Sequence, residues 1–138
     1  MHSYQKLNWY PHMMPADVAI WERFIEKYPE EYESVEYDVK VGTVPDFIKE
    51  HPDPALRDEA ALYQRKIDVV GHFGPILDII ELKPNAGMST IGQVKGYVAL
   101  YKRDIGGTKN PKGKIITDRI DPDVLEVAKM EGVEIVVV

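Results

Sequence analysis

Two acidic residues and a lysine in apolar surroundings are the strongest candidates for chemistry in this sequence. Asp68 and Glu81 lie in two apolar segments separated by a glycine-rich stretch at 71–75, and Lys83 follows Glu81 by two positions. An unpaired charge is costly to bury in an apolar strand, so charges placed there indicate a function. Two carboxylates can hold a divalent cation, and an adjacent ammonium group can orient a water nucleophile and offset charge on a phosphate. These residue types therefore indicate metal-assisted phosphodiester hydrolysis.

A β-hairpin would bring these groups together. Apolar runs at 63–71 and 76–83 predict two antiparallel strands, and the glycines and proline between them predict the turn. If the turn is centred between Gly74 and Pro75, Asp68 lies directly opposite Glu81. Lys83 then shares the face of Glu81, because side chains alternate along a strand, and the residue between them points into the core.

The rest of the pattern predicts an α/β domain with one mixed sheet covered by helices. Before the hairpin we expect a helix at 15–28, a half-buried strand at 34–42 and an irregular excursion with one helical turn at 45–58. After it we expect a helix capped by Ser89 or Thr90 and running to about 101, a strand at 114–117, a helix at 121–132 and a last buried strand at 133–138. Residues 1–14 are predicted to form an arm, and residues 15–138 a single domain.

The order of motifs within 66–97 points to a known nuclease family. The segment holds K-I-D-V-V at 66–70, a hairpin, I-E-L-K at 80–83 and then a predicted helix with Q-V-K-G-Y at 93–97. It resembles the PD-(D/E)XK nuclease superfamily, and the last motif is similar to the Q-x-x-x-Y motif of its RecB-type branch. The resemblance implies a restriction-endonuclease-like fold: a helix, three strands, a helix and a strand around a mixed central sheet, followed by a C-terminal helix and strand.

The resemblance also implies a role for each motif residue. Asp68, Glu81 and the carbonyl oxygen of Leu82 would bind Mg²⁺ or Mn²⁺. Lys83 would lie at the catalytic water, and Gln93 would support the site or the substrate from the following helix.

Family members often supply a further carboxylate from the first helix, and the sequence offers Glu22 for that role, with Asp17 and Glu26 as alternatives. Two features depart from the family pattern. Ile67 replaces the proline before the aspartate, as is common in the RecB-type branch. The iron–sulfur cysteines of some RecB-type relatives are absent, which rules out that subgroup.

The charge distribution leaves room for a nucleic-acid partner despite a formal net charge of −6. Residues 15–60 hold 13 acidic and 5 basic residues, whereas residues 102–119 hold 6 basic and 2 acidic ones. Phosphate binding needs a local basic surface rather than a basic average, although the same stretch also suits a solvated loop. The residues predicted to clamp a nucleic-acid backbone are Lys95, Lys102, Arg103 and Lys109.

The composition excludes several classes of site. The chain has no cysteine, which excludes disulfides, thiolate zinc sites and cysteine nucleophiles, and leaves hard cations held by oxygen ligands. No apolar run approaches the roughly 18 residues of a membrane span, and the N-terminal segment lacks the apolar core of a secretory signal. We therefore expect a cytoplasmic protein, or an intracellular one of viral origin.

Each motif also has a structural reading. A Glu81–Lys83 salt bridge would be purely structural, and a second acidic-x-lysine pair, Asp38-Val39-Lys40, is predicted to be a surface ion pair. Taken together, the residues predict a stand-alone, Mg²⁺- or Mn²⁺-dependent deoxyribonuclease that is structure- or end-directed, with a homodimer as the first variant to consider. The alternatives are a catalytically silent nuclease-fold protein that binds nucleic acid or mediates assembly, and an enzyme directed to RNA.

Overall fold

A six-stranded mixed sheet is the centre of the computed structural model, which describes residues 1–59 and 64–138. In chain order the strands are β1 (His2–Ser3), β2 (Ser34–Val41), β3 (Arg65–Phe73), β4 (Ile76–Leu82), β5 (Lys112–Thr117) and β6 (Glu134–Val137). They keep this order across the sheet, with antiparallel pairing from β1 to β4 and parallel pairing from β4 to β6. The predicted mixed sheet is confirmed.

Helices cover both faces of the sheet. They are α1 (Pro15–Lys27), α2 (Asp46–Lys49), α3 (Pro54–Asp58), α4 (Met88–Asp104) and α5 (Pro122–Met130). Helix α1 contacts β4 and β5 through one apolar cluster, and α4 and α5 contact the sheet through a second cluster. The chain is therefore an α/β fold with two cores on opposite sides of one sheet.

The α1 core depends on an apolar stripe in the first helix. Ile20, Trp21 and Phe24 are almost completely buried, and their spacing of three to four residues puts them on one face of the helix. The Trp21 indole N–H donates a hydrogen bond of 3.0 Å to the hydroxyl of Tyr37 on β2, so the buried polar atom is satisfied. Burying side chains of this size contributes about 1.5–3 kcal/mol each, which fixes α1 against the sheet.

Several predicted boundaries change in the structure. The N-terminal arm contributes β1, which pairs with β2, and the excursion after β2 holds two short helices rather than one turn. Strand β3 begins at Arg65, while position 63 of the predicted strand lies outside the described residues. The last strand was predicted to be buried, but β6 lies at the edge of the sheet and is half exposed.

The start of α4 also differs from the prediction. The helix begins at Met88, so neither Ser89 nor Thr90 is its N-cap. Instead, the Gly87 N–H donates to Thr90 Oγ1 at 3.3 Å, which satisfies the backbone just before the helix. The helix runs on to Asp104, one turn beyond its predicted end.

The hairpin is tighter than the glycine-rich stretch at 71–75 indicates. Phe73 pairs with Ile76, so the loop consists of Gly74 and Pro75, and Gly74 has the left-handed φ of +54° that such turns favour. The register continues to Val69 opposite Ile80. The predicted centre of the turn is therefore confirmed.

A buried ion network stabilises the turn end of the sheet. Lys114, which is 1% exposed, donates to the Tyr32 hydroxyl at 2.7 Å, and Tyr32 donates to Asp78 at 2.6 Å. The Lys114 ammonium also lies 3.2 Å from Asp78 and from Glu31. The Tyr32 ring that carries this network lies directly on Gly71 of β3.

We predict that Gly71→Ala destabilises the fold. A Cβ atom at this position would lie 2.6 Å from the Tyr32 ring, so the ring and its hydrogen bonds would have to move. We expect the free energy of unfolding in urea to fall by about 1–3 kcal/mol. Gly96→Ala is the matched control, because a Cβ there meets nothing within 4 Å and a helix interior gains about 0.5–1 kcal/mol from alanine. Equal effects of the two changes would contradict the assigned contact.

Candidate active site

Strands β3 and β4 part where the two acidic residues face each other. The pairing ends at Val69 and Ile80, and the next step in the same register places Asp68 opposite Glu81. Here the Asp68 carboxylate accepts a hydrogen bond of 2.9 Å from the backbone N–H of Leu82. In a regular ladder a backbone carbonyl of the neighbouring strand accepts such an N–H. The carboxylate therefore occupies the gap between the strands and is fixed by the backbone of β4.

Glu81 carries an unsatisfied polar atom. The residue is 7% exposed, and within the described parts of the chain its buried Oε2 atom has no hydrogen-bond partner. Its neighbour Leu82 points away from it into the α1 core, as predicted. A buried carboxylate oxygen without a partner is costly, so its presence indicates a ligand that the protein itself does not supply.

The negative charge of Asp68 disfavours the charged form of Glu81, whereas the Glu81 carboxyl favours the charged form of Asp68. Burial raises the pKa of Asp68, the Leu82 N–H opposes this effect, and the negative charge of Asp17 adds to it. Burial also raises the pKa of Glu81, followed by the negative charges of Asp68 and Asp17, while the Lys83 ammonium lowers it. The pair therefore binds a proton more readily than isolated carboxylates do, and a divalent cation would compete with that proton.

Asp17 is the first-helix carboxylate whose charge reaches the acidic pair. It raises the pKa of both Asp68 and Glu81, and burial raises its own pKa. It lies three and four positions before Ile20 and Trp21, so it begins the buried stripe of α1. This spacing fits the buried stripe but does not by itself separate Asp17 from Glu22, which lies three positions before the buried Ile25.

The other two first-helix residues have different partners. Glu22, the residue first predicted to complete the site, accepts a hydrogen bond of 3.1 Å from the Tyr10 hydroxyl. Glu26 forms an exposed ion pair with Lys6 of the N-terminal arm. The structure therefore brings Asp17, one of the alternatives, to the side of the pair.

Lys83 lies at the exposed edge of the acidic site. Its backbone N–H donates to the Ile116 carbonyl of β5 at 3.1 Å, which fixes the residue just after β4 ends. Its ammonium lowers the pKa of both Glu81 and Asp17. The side chain is exposed, so its charge is near the carboxylates and open to solvent.

Gln93 lies on an open groove along α4. Its side-chain N–H donates to the Tyr97 hydroxyl at 3.0 Å, so the two outer residues of the Q-x-x-x-Y motif contact each other. Tyr97 is otherwise buried in the α4 core. The groove encloses about 440 Å³, and its lining residues are Arg65, Ser89, Gly92, Gln93, Gly96, Tyr97 and Leu100.

Arg65 is a groove residue that the sequence patterns did not single out. It lines the Gln93 groove and a neighbouring one that includes Gly42, Thr43 and Arg103, so the two form a strip along α4. Arg65 is exposed and lies three positions before Asp68 on β3. A basic residue so near a candidate acidic site is the signal that could have identified it.

The predicted clamp residues differ in their surroundings. Lys95 forms an ion pair with Glu131 of the loop after α5, and Arg103 forms one with Asp104 at the end of α4. Lys102 and Lys109 line a shallow pocket with the glycine-rich loop at 106–111. Lys102 at the end of α4 and Lys109 of the loop thus lie on one surface, whereas Lys95 already has an acidic partner.

The donor set suits a hard divalent cation. Within residues 1–59 and 64–138, no group of three or more histidine, aspartate or glutamate side chains is arranged to hold one metal ion. Mg²⁺ keeps several waters and commonly takes only one or two carboxylates from a protein. Asp68 and Glu81 provide that number, and the unpartnered Oε2 of Glu81 is a free oxygen donor. The residues present therefore fit such an ion bound largely through water.

No family model and no curated protein matches the sequence. Among solved structures, the chain is similar to a repair endonuclease from Pyrococcus abyssi, with 18% identity over 96% of this chain and 49% of that one, and a TM-score of 0.52. It is similar to EndoMS in an EndoMS–dsDNA complex, with 17% identity, 98% and 47% coverage and a TM-score of 0.50. A protein of unknown function gives 16% identity, 82% and 52% coverage and a TM-score of 0.53.

These similarities establish the fold. The predicted restriction-endonuclease-like architecture, a mixed sheet flanked by helices, is confirmed by the shared structure. The chain spans about half the length of each of these solved proteins. No helix in the described part of the chain is long and apolar enough to cross a membrane.

We predict that Glu81→Gln stabilises the metal-free protein, and does so more at high pH. Because the pKa of Glu81 is raised from its usual value of 4.5 to about 9, the unfolded chain releases this proton at a lower pH than the folded chain does, so the free energy of unfolding falls as the pH rises between these two values. An amide carries no charge, so the free energy of unfolding in urea at pH 8 should rise by about 1–2 kcal/mol, with a smaller gain at pH 5. Glu126→Gln, at an exposed position of α5, should change neither value.

Proposed function

We propose that this chain is a metal-dependent nuclease that hydrolyses DNA phosphodiester bonds with an activated water. The observation that carries the proposal is the facing pair of Asp68 and Glu81: Asp68 is half-buried and fixed in the gap between two strands, and Glu81 is buried with an unpartnered oxygen. A fold shared with a repair endonuclease and with a protein solved on double-stranded DNA supports this reading. A purely structural salt bridge between Glu81 and Lys83 would leave the buried oxygen unexplained.

Each residue of the proposed site has a role that follows from its position. Asp68, Glu81 and the Leu82 carbonyl would hold Mg²⁺ or Mn²⁺, with Asp17 adding negative charge from α1. When bound, the ion would polarise the phosphate and lower the pKa of a water. Lys83, at the exposed edge, would orient that water and offset the negative charge on the phosphate oxygens.

Gln93 and the basic residues would bind the substrate beside the acidic pair. Gln93 and Arg65 line one groove, and a nucleic-acid backbone in it would pass over two helical glycines that leave the helix backbone accessible. Lys102 at the end of α4 and Lys109 of the glycine-rich loop would extend the contact. The assignment to the RecB-type branch rests on the Gln93 and Tyr97 motif and stays a prediction.

We predict that substitutions of the acidic pair abolish both ion binding and cleavage, whereas substitution of Lys83 reduces cleavage alone. Asp68→Asn and Glu81→Gln should abolish both the Mn²⁺-dependent rise in melting temperature and plasmid cleavage, because they remove ion ligands. Lys83→Ala should reduce cleavage by about 100-fold or more and leave the Mn²⁺ shift largely intact. Thermal melting with and without Mn²⁺, together with plasmid nicking, measures both properties.

Lys129→Ala, at an exposed position of α5, is the control for removing a surface lysine. Wild-type cleavage by Lys83→Ala would contradict the role of that residue. A wild-type protein that binds Mn²⁺ but cuts no duplex, single-stranded, branched or RNA substrate would favour the second candidate, a silent nuclease-fold protein that binds nucleic acid or mediates assembly. The same panel separates DNA from RNA and end-directed from structure-directed activity, and gel filtration tests the predicted homodimer.

We predict that Lys102 at the end of α4 and Lys109 of the glycine-rich loop contribute more to DNA binding than Lys95 does. Lys102→Ala and Lys109→Ala, each made in the Lys83→Ala background, should weaken duplex binding and lower the slope of log affinity against log salt by about one each. Lys95→Ala should have a smaller effect, because its ammonium is already paired with Glu131. Fluorescence anisotropy at several salt concentrations measures both quantities, and equal slopes for all three variants would contradict this order.

A further inference from the structure

Asp38 of β2 extends the row of acidic residues across the sheet. Its neighbours Tyr37 and Val39 pair with Val69 and Ile67 of β3, so the position between them faces Asp68. Because Asp68 in turn faces Glu81, three acidic residues on three adjacent strands lie side by side. The sequence pattern predicted Asp38 and Lys40 to be a surface ion pair.

The backbone at Asp38 explains how this side chain turns toward the site. Asp38 has a left-handed φ of +55°, which side chains other than glycine adopt at a cost in energy. The strand changes face at this point, since Tyr37 packs in the α1 core and Val41 in the α4 core. The residue therefore interrupts the regular alternation of β2 beside the gap between β3 and β4.

The Asp38 carboxylate is largely buried and only half satisfied. Its side chain is 9% exposed, and its Oδ2 atom lies 3.3 Å from the Lys40 ammonium and 3.3 Å from His12 Nε2. The other oxygen, Oδ1, is buried without a hydrogen-bond partner among the described residues. His12, which reaches over from the N-terminal arm, also has a left-handed φ, of +57°.

The predicted ion pair of Asp38 with Lys40 forms, but it is not a simple surface pair, because the Asp38 side chain is largely buried while the Lys40 side chain is 38% exposed. Two of the acidic residues in the row thus share one property, a buried oxygen that the described residues leave without a partner.

We propose that Asp38 is a positioning residue of the cation site, an inference that rests on the proposed function. Its Oδ1 would accept a hydrogen bond from a water in the hydration shell of the cation held by Asp68 and Glu81, while His12 and Lys40 fix Oδ2. The contact would be through water, since Asp68 and Glu81 already supply the one or two carboxylates that Mg²⁺ commonly takes from a protein. A hard cation such as Mg²⁺ retains several waters, which need acceptors.

Asp38→Asn tests this role through Mn²⁺ affinity in the whole protein, measured by isothermal titration calorimetry. We expect the affinity to fall by about 10- to 100-fold, because residues that orient the ligands and waters of an ion have effects of this size. The melting temperature without Mn²⁺ should stay the same or rise, since the change removes a buried charge with an unsatisfied oxygen. Asp123→Asn, at an exposed position of α5, is the matched control and should leave both values unchanged.

His12→Ala tests the same role without altering the carboxylate. His12 is more than half exposed, so its removal should leave the fold intact and cause a smaller loss of Mn²⁺ affinity than Asp38→Asn does. Unchanged affinity in both variants would overturn the inference while leaving the proposed function standing. A wild-type chain that fails to bind Mn²⁺ would overturn both. A large fall in the metal-free melting temperature of Asp38→Asn would assign the residue to structure instead.

Discussion

The gap between β3 and β4 is the constraint around which the rest of the structure is arranged. An aspartate side chain, rather than a backbone carbonyl, accepts the N–H of Leu82, so the sheet opens where Asp68 and Glu81 face each other. The helix α1 holds the apolar side chains of both strands from one face, and α4 holds them from the other. The apolar packing of the two cores offsets the free-energy cost of placing two carboxyl groups inside the sheet.

Buried charge is compensated within the protein at one end of the sheet and is not compensated at the other. At the turn end, Lys114 is surrounded by carboxylates and a tyrosine hydroxyl, and its positive charge is compensated within the protein. At the open end, carboxylates outnumber the cations near them, and buried oxygens remain without partners in the described residues. The first arrangement is complete without a ligand, whereas the second is not, which distinguishes a structural network from a binding site.

The sequence predicted the hairpin well because the physical rules that govern it are local. A two-residue turn at Gly74 and Pro75 sets the register of both strands, and the register sets the position of Asp68 relative to Glu81. The order of helices and strands was also predicted, because the spacing of apolar residues along each element is a local property of the sequence. Asp38 could not be predicted, because a left-handed residue reverses the alternation on which strand patterns depend. The choice between Asp17 and Glu22 depended on which face of α1 is buried. The apolar residues of this helix are compatible with more than one buried face, so the sequence did not decide between them.

The β3–β4 loop and the segment between β2 and β3 differ in how well they tolerate changes in length. A single insertion or deletion within the Gly74–Pro75 loop would shift the pairing by one residue and send Glu81 to the opposite face. The segment between β2 and β3 is long, and its length does not set a register, so added or lost residues there cost little chain entropy. Length variation among relatives should therefore accumulate before Arg65 and be rare at the hairpin.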